Sequence, residues 1–349
     1  MGSRVLITGA TGFIGRQLTR DLAASGHEVR ILARSRDKAQ MLFGDSVEIM
    51  VGDLGRPELL EKLCRDREIV YHIGGIYRFG LRHRRELWRI NVEGTENLLK
   101  IAATAGIGKI IHLSSCGVLS KREGVVSAAS PLNENDFPDQ PQRLCSYKSS
   151  KWHAEQRALD WARKGLPVTI ASTTCPIGWG DEAPTPTGCI IRDFLARRFP
   201  FSCRTGLNFI GVGDLSRGLR RVAEVGRPGA RYLLCHENLW LKEFLDLLAR
   251  ETGLKAPSIC LPGTMIALLG MAGEAIDLLN PRSVGARICL ESACQSRRIQ
   301  FFDNSRTRQE LNWAPIQSIE ENIREAVAWF SRDTSDSVPQ HAPVAEPNL

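Results

Sequence analysis

The stretch Val5-Leu-Ile-Thr-Gly-Ala-Thr-Gly-Phe-Ile-Gly15 decides the fold. An apolar run meets three glycines, Gly9, Gly12 and Gly15, and leads straight into an amphipathic helix. A strand that turns on glycine into a helix makes a dinucleotide cradle. The first glycine permits the tight turn, the second lets the backbone approach a pyrophosphate, and the third lets the helix pack closely on the strand. The phosphates then face a helix N-terminus, where unpaired N–H groups and the helix dipole favour anions.

Working outward, short β-branched runs at 4–8, 27–32, 48–51, 69–73, 109–114 and 167–172 predict strands, and apolar residues at helical spacing over 13–25, 57–64, 85–105 and 146–164 predict helices between them. Alternation of this kind with short connections means an α/β fold, a Rossmann-type doubly wound parallel sheet covered on both faces. Ligands in such sheets lie at the carboxyl ends of the strands. Residues 1–174 are therefore read as the dinucleotide-binding domain. Beyond Thr174 the chain is richer in Pro and Gly, with helices expected at 190–198, 241–252, 264–279 and 319–330. Residues 175–332 are read as a smaller C-terminal substrate-binding region with some segments returning to the main sheet, and 333–349 as a disordered tail.

With 349 residues, 43% of them hydrophobic, the chain can bury a large core. Its ten cysteines form no C-x-x-C pair and no zinc spacing, so neither a disulfide framework nor a metal site is expected and a reducing cytoplasm fits best. The first strand begins too early to leave room for a signal peptide. The formal charge of +7 gathers at Arg78, Arg82, His83, Arg84 and Arg85. That cluster reads as a solvated surface or as an attraction for an anionic ligand or an acidic membrane face, which makes peripheral membrane contact an expectation. No aromatic ladder or recognised motif points to nucleic acid.

The chemistry is carried by Tyr147-Lys-Ser-Ser-Lys151. Four residues apart at a helix start, the phenol and the second ammonium lie on one face. A fixed cation stabilises a phenolate, so the phenol can exchange a proton with an alcohol or ketone nearer neutral pH than its free value of about 10. The strand at 109–114 ends in His112-Leu-Ser-Ser-Cys-Gly-Val118 and supplies a hydroxyl at its carboxyl end that can hydrogen-bond the reacting oxygen. His112 reads as a packed strand residue rather than a base.

These segments, with Gly52-Asp53-Leu54, Asn91-Val-Glu-Gly-Thr-Glu-Asn-Leu-Leu99 and Ser114-Ser115, resemble the extended short-chain dehydrogenase/reductases of the epimerase/dehydratase group over nearly the whole ordered chain. The resemblance implies Ser115, Tyr147 and Lys151 as the catalytic set, Ser115 being favoured over Ser114 by its position before Val118-Leu-Ser120. It implies a cofactor set of Gly9, Thr11, Gly12, Phe13, Ile14, Gly15, Arg34, Asp53, Leu54, Gly74, Gly75, Asn91, Tyr147, Lys151 and Pro176. In that set Asp53 contacts the adenine, Gly74 and Gly75 lie beside the cofactor, Asn91 supports the catalytic water or lysine, and Pro176 lies beside the nicotinamide. Read without the family pattern, Asp53 can cap a turn and Asn91 a helix.

Cofactor choice is argued from charge. The second strand runs into Ala33-Arg34-Ser35-Arg36, with no acid to hold a plain ribose. Arg34 can stack on adenine or pair with a 2′-phosphate, and Arg36 or Lys38 can help unless they form a solvated face, so NADP(H) is favoured and NAD(H) stays open. Among subgroups the chain resembles hopanoid-associated sugar epimerases and the dihydroflavonol-reductase-like and 3β-hydroxysteroid-dehydrogenase-like proteins, through Pro184-Thr-Pro-Thr-Gly188, Thr205-Gly-Leu-Asn208, Gly226-Arg-Pro-Gly229 and Glu237-Asn238-Leu239. The nucleotide-sugar enzymes usually carry an Asn and an Arg where this chain has Cys175 and Leu207, and neither replacement can grip a uridine diphosphate. A small-molecule substrate that is hydrophobic or lipid-linked is therefore expected, worked on by an NAD(P)-dependent oxidoreductase, with a sugar epimerase as the alternative. A homodimer through the helices at 85–105 and 146–164 is expected as well.

Overall fold

The computed structural model describes residues 2–78, 80–121, 126–138, 145–199, 201–279, 293 and 298–332. The tail expected at 333–349 lies outside the described residues.

Seven strands form the main sheet: β1 (Arg4–Thr8), β2 (Glu28–Ala33), β3 (Glu48–Val51), β4 (Ile69–His72), β5 (Lys109–Ser115), β6 (Val168–Thr173) and, from the second half of the chain, Arg231–Leu234. Their spatial order is β3, β2, β1, β4, β5, β6 and then Arg231–Leu234, and every neighbouring pair is parallel. The order reverses between β1 and β4, where Thr8 lies opposite His72. A reversal leaves a crevice at the strand ends, because the connections depart to opposite sides.

Alternation along each strand sends apolar side chains to two covered faces. On one face Val5, Ile7, Ile31, Tyr71 and Ile111 pack against Leu18 and Leu22 of the helix Phe13–Ala24 and Leu215 and Leu219 of the helix Val212–Val225. On the other, Leu6, Val70, Ile110 and Ile170 meet Leu60, Leu98, Leu99 and Ala158. All six residues of β6 are buried, as a strand covered on both faces requires. Each fully buried Leu or Ile contributes about 1.5–3 kcal/mol of transfer free energy.

The second half adds two small sheets. One joins Cys175–Ile177 and Gly206–Gly211 in parallel, with Glu237–Trp240 antiparallel to the latter. The other pairs Ser202–Cys203 with Cys260–Leu261. A separate core forms around Phe209 stacked on Phe244, with ring centroids 4.2 Å apart. The helix expected at 190–198 runs instead over Pro186–Leu195, because Thr185 accepts from the Gly188 N–H as its N-cap and Pro186 takes the first helical position.

Candidate active site

The glycine turn lies at the sheet reversal. Gly9 has φ +75°, and a Cβ there would stand 2.7 Å from the Gly74 Cα, so two backbone turns touch at the crevice floor. A Cβ on Gly15 would stand 2.1 Å from the Gly9 carbonyl oxygen, which is the close helix-to-strand packing that the third glycine allows. Gly12 is the N-cap of Phe13–Ala24; among the described residues no side chain caps that end and no acid occupies its first turn. Thr11, Phe13 and Ile14 surround it, partly buried. The cradle therefore fits a dinucleotide pyrophosphate: a close-approach backbone, free of side chains, at an uncapped helix start.

A buried hydrogen-bonded line leads from this turn to the catalytic helix. Thr8 Oγ1 accepts from the Gly74 N–H at 3.1 Å and lies 2.7 Å from His72 Nδ1, while His72 Nε2 lies 2.9 Å from Thr95 Oγ1. Thr95 donates its proton to the Asn91 carbonyl. His72 Nε2 must therefore be the protonated nitrogen and Nδ1 the acceptor from Thr8, an assignment inferred from the network. Burial holds this imidazole neutral, its pKa lowered to about 3. Asn91 Oδ1 accepts from the Ile76 N–H at 2.8 Å, and its Nδ2 donates to the Ile76 carbonyl and to Ser150 Oγ. Asn91 thus ties the loop after β4, which carries Gly74 and Gly75, to the helix Ser146–Arg163. It sits in a π-helical turn, Trp88–Glu93, within the long helix expected at 85–105.

Ser115, Tyr147 and Lys151 come together at the carboxyl end of β5. A hydrogen bond with Ser115 lowers the Tyr147 pKa, but burial, its largest influence, carries it above the ordinary phenol value, helped by Cys145 and Cys175. The lowering expected from Lys151 is not among these influences. Lys151 is itself desolvated, its pKa lowered to about 8, and its ammonium donates to the Leu113 carbonyl at 2.6 Å. Burial therefore favours the neutral phenol of Tyr147. Tyr77 packs edge-on against it, ring centroids 3.9 Å apart, a neighbour the sequence reading missed.

Ser114 points to the opposite side of the strand and donates to Glu155 Oε2 at 2.5 Å. Glu155 also accepts from Arg231 Nε at 2.6 Å. This fully buried carboxylate stands one turn beyond Lys151 and raises its pKa against the burial effect. The sequence reading missed this pair as well, although the four-residue step from Lys151 to Glu155 puts both on one helix face.

At the adenine end Arg34 is exposed directly after β2 and, among the described residues, makes no hydrogen bond or ion pair. Arg36 donates to the Ile49 carbonyl and Lys38 pairs with Glu182 at 3.0 Å, so both have other partners. Asp53 accepts from the Gly55 N–H at 2.7 Å, the turn-capping role open to it, and Leu54 is buried beneath it. Pro176 lies partly buried in the strand Cys175–Ile177. Cys175 and Leu207, partly buried, pack on the core of Phe209 and Phe244.

A sheet reversed at β1, a glycine turn at the reversal and a Ser–Tyr–Lys group beside it mark an NAD(P)-dependent oxidoreductase. The chain belongs to the NAD dependent epimerase/dehydratase family, whose model matches residues 5–234. A protein of Synechocystis sp., provisionally named dihydroflavonol 4-reductase, is 33% identical over 336 residues, covering 95% of both chains. Sterol demethylase protein B of Methylococcus capsulatus is 28% identical, over 93% of this chain and 97% of that protein. The crystal structure of gox2253 matches with a TM-score of 0.81 at 32% identity, over 95% of this chain and 99% of that one. The resemblance and the fold class read from the sequence are borne out.

Proposed function

We propose that the chain interconverts a secondary alcohol and a ketone on a hydrophobic or lipid-linked small molecule, using NADP(H). When bound, the nicotinamide supplies or accepts the hydride. Ser115 orients the substrate oxygen, Tyr147 gives that oxygen its proton or takes it back, and Lys151 holds the cofactor ribose and the charge balance beside the phenol. The observation that supports the substrate class is the packing of Cys175 and Leu207 against the core of Phe209 and Phe244, where neither side chain itself offers a charged or amide contact to a nucleotide diphosphate. The apolar helix Gly263–Leu279 adds a second support: Ile266 joins the same core, while Met265, Leu268, Met271 and Ile276 are exposed and offer a surface to a lipid. Among the described residues no helix is long and apolar enough to cross a membrane. The assembly proposed is a homodimer.

The test is a screen of sterol, isoprenoid and other apolar ketones followed by NADPH absorbance, run beside competition by uridine diphosphate. Net NADPH consumption with an apolar ketone, and no inhibition by uridine diphosphate below millimolar concentration, is expected. Product formation without net consumption, together with submillimolar inhibition by uridine diphosphate, would establish a sugar epimerase instead.

Cofactor preference is tested separately at Arg34, the proposed adenine-end cation, which has no hydrogen bond or ion pair among the described residues. Arg34→Ala is expected to weaken NADPH by about 1.5–3 kcal/mol more than NADH, the loss of a charge-assisted contact to the 2′-phosphate. Titration calorimetry with both cofactors measures it; equal losses would reduce Arg34 to stacking on adenine.

A further inference from the structure

Lys148 is the residue of the catalytic helix whose position neither the fold nor the acid–base group explains. The residue is only 5% exposed, and among the described residues its buried ammonium has no hydrogen-bond partner. It follows Tyr147 directly in the first turn of Ser146–Arg163. The stem passes Gly117 beside Ser115: a Cβ on Gly117 would stand 3.0 Å from Lys148 Cε and 3.1 Å from Ser115 Oγ. Among the described residues the groups acting on the ammonium are the thiols of Cys145 and Cys175 and the guanidinium of Arg298, and none of these is a carboxylate.

An ammonium taken out of water without a partner is strongly penalised unless an anion completes it or it gives up its proton. We propose that Lys148 is a substrate-recognition cation that binds a carboxylate carried within a few bonds of the reacting carbon. This deepens the reading given above, on which it rests: the substrate is an amphiphile with an apolar body and one negative charge next to its alcohol or ketone. A carboxylate matches the single charge of Lys148, whereas a phosphate brings up to two; the neighbouring buried cation, Lys151, already has the Leu113 carbonyl and Glu155, and Arg298 is exposed. Burial already lowers the Lys148 pKa to about 8, and an anion beside it restores the charged form.

Octanoate and octanamide, alike in shape and differing in charge, separate the idea from the oxidoreductase reading, since neither can be turned over. Titrated into NADP⁺-saturated protein at pH 7, octanoate is expected to bind at least tenfold more tightly than octanamide. K148M is expected to remove that preference. No binding by octanoate, equal affinity for both, or a preference retained in K148M overturns the proposal. A tenfold preference in a protein that turns over none of the screened ketones leaves the Lys148 site standing and removes the oxidoreductase reading.

Thermal unfolding supplies a second readout. In a linkage sense, a lysine with its folded pKa lowered is penalised while charged, so the penalty is full at pH 7 and is lost as pH rises from about 8 through the unfolded value near 10.5. The ligand-free K148M protein is therefore expected to melt above wild type at pH 7, with the gap closing by pH 10. A variant that melts below wild type at pH 7 means that the ammonium has a structural partner, and this too overturns the proposal.

Discussion

Tyr147→Phe is expected to lower turnover by about 10²–10⁴-fold while leaving cofactor affinity nearly unchanged. The change removes the phenolic hydroxyl and keeps the ring that packs edge-on against Tyr77. The loss is expected in the chemical step because the phenol, held neutral by burial and hydrogen-bonded with Ser115, is the proposed proton donor to the substrate oxygen. Lys151→Met, in contrast, is expected to reduce both rate and cofactor binding. Its ammonium sits on the Leu113 carbonyl at the end of β5 and has two proposed duties. Single-turnover rates with fluorescence titration of the cofactor separate the two variants, and wild-type turnover in Tyr147→Phe would remove that residue from the mechanism.

The largest stability effect is expected at Glu155. Its side chain is 0% exposed and that of Arg231 is 11% exposed, and the pair ties the catalytic helix to the edge strand of the main sheet. Arg231 also donates to the Glu134 carbonyl at 2.7 Å and stacks over Phe137. Glu155→Ala leaves that guanidinium buried without its carboxylate partner, and breaking a buried pair by removing one partner costs about 3–5 kcal/mol. Replacing both residues by apolar side chains of similar volume should recover most of the loss, because the penalty lies in the unpaired charge rather than in the missing attraction. Denaturant midpoints of the single and double variants measure this; a single variant within 1 kcal/mol of wild type would show that the pair carries no such load.

Local signals placed the parts of the fold that local physics determines. The strand expected at 109–114 ends one residue later, at Ser115, and the helix expected at 57–64 is Pro57–Cys64 without change. Both are bounded by signals within a few residues, a proline at the helix start in the second case. The strand Arg231–Leu234 was not among the expected strands, because its partner in β6 stands about 60 residues away and pairing over that distance leaves no periodic trace. The helix Val212–Val225 was missed as well, although it buries Leu215, Leu219 and Val222 at helical spacing; its glycines and arginines obscured the pattern. At the site, the motif spacing led to Ser115, Tyr147 and Lys151, whereas Tyr77 and Arg231 reach it only through tertiary packing. Asp53 shows where a motif stops being informative: the residue was legible, but its bond to the Gly55 N–H follows from the local turn.

The π-helical turn that holds Asn91 has a consequence for the length of the chain. A π turn is what an α-helix becomes when it absorbs one extra residue without being broken, and one residue corresponds to about 100° of helical rotation. In Trp88–Glu93 that surplus is taken up locally, so Asn91 faces the crevice while Gly94–Thr104 keeps its own face on the sheet. Deleting a single residue there would restore a regular helix and rotate one of these two faces away from its partner. The segment is therefore expected to tolerate substitution at its exposed positions but not a change of length, so a one-residue insertion or deletion there should disturb the crevice more than a point change does.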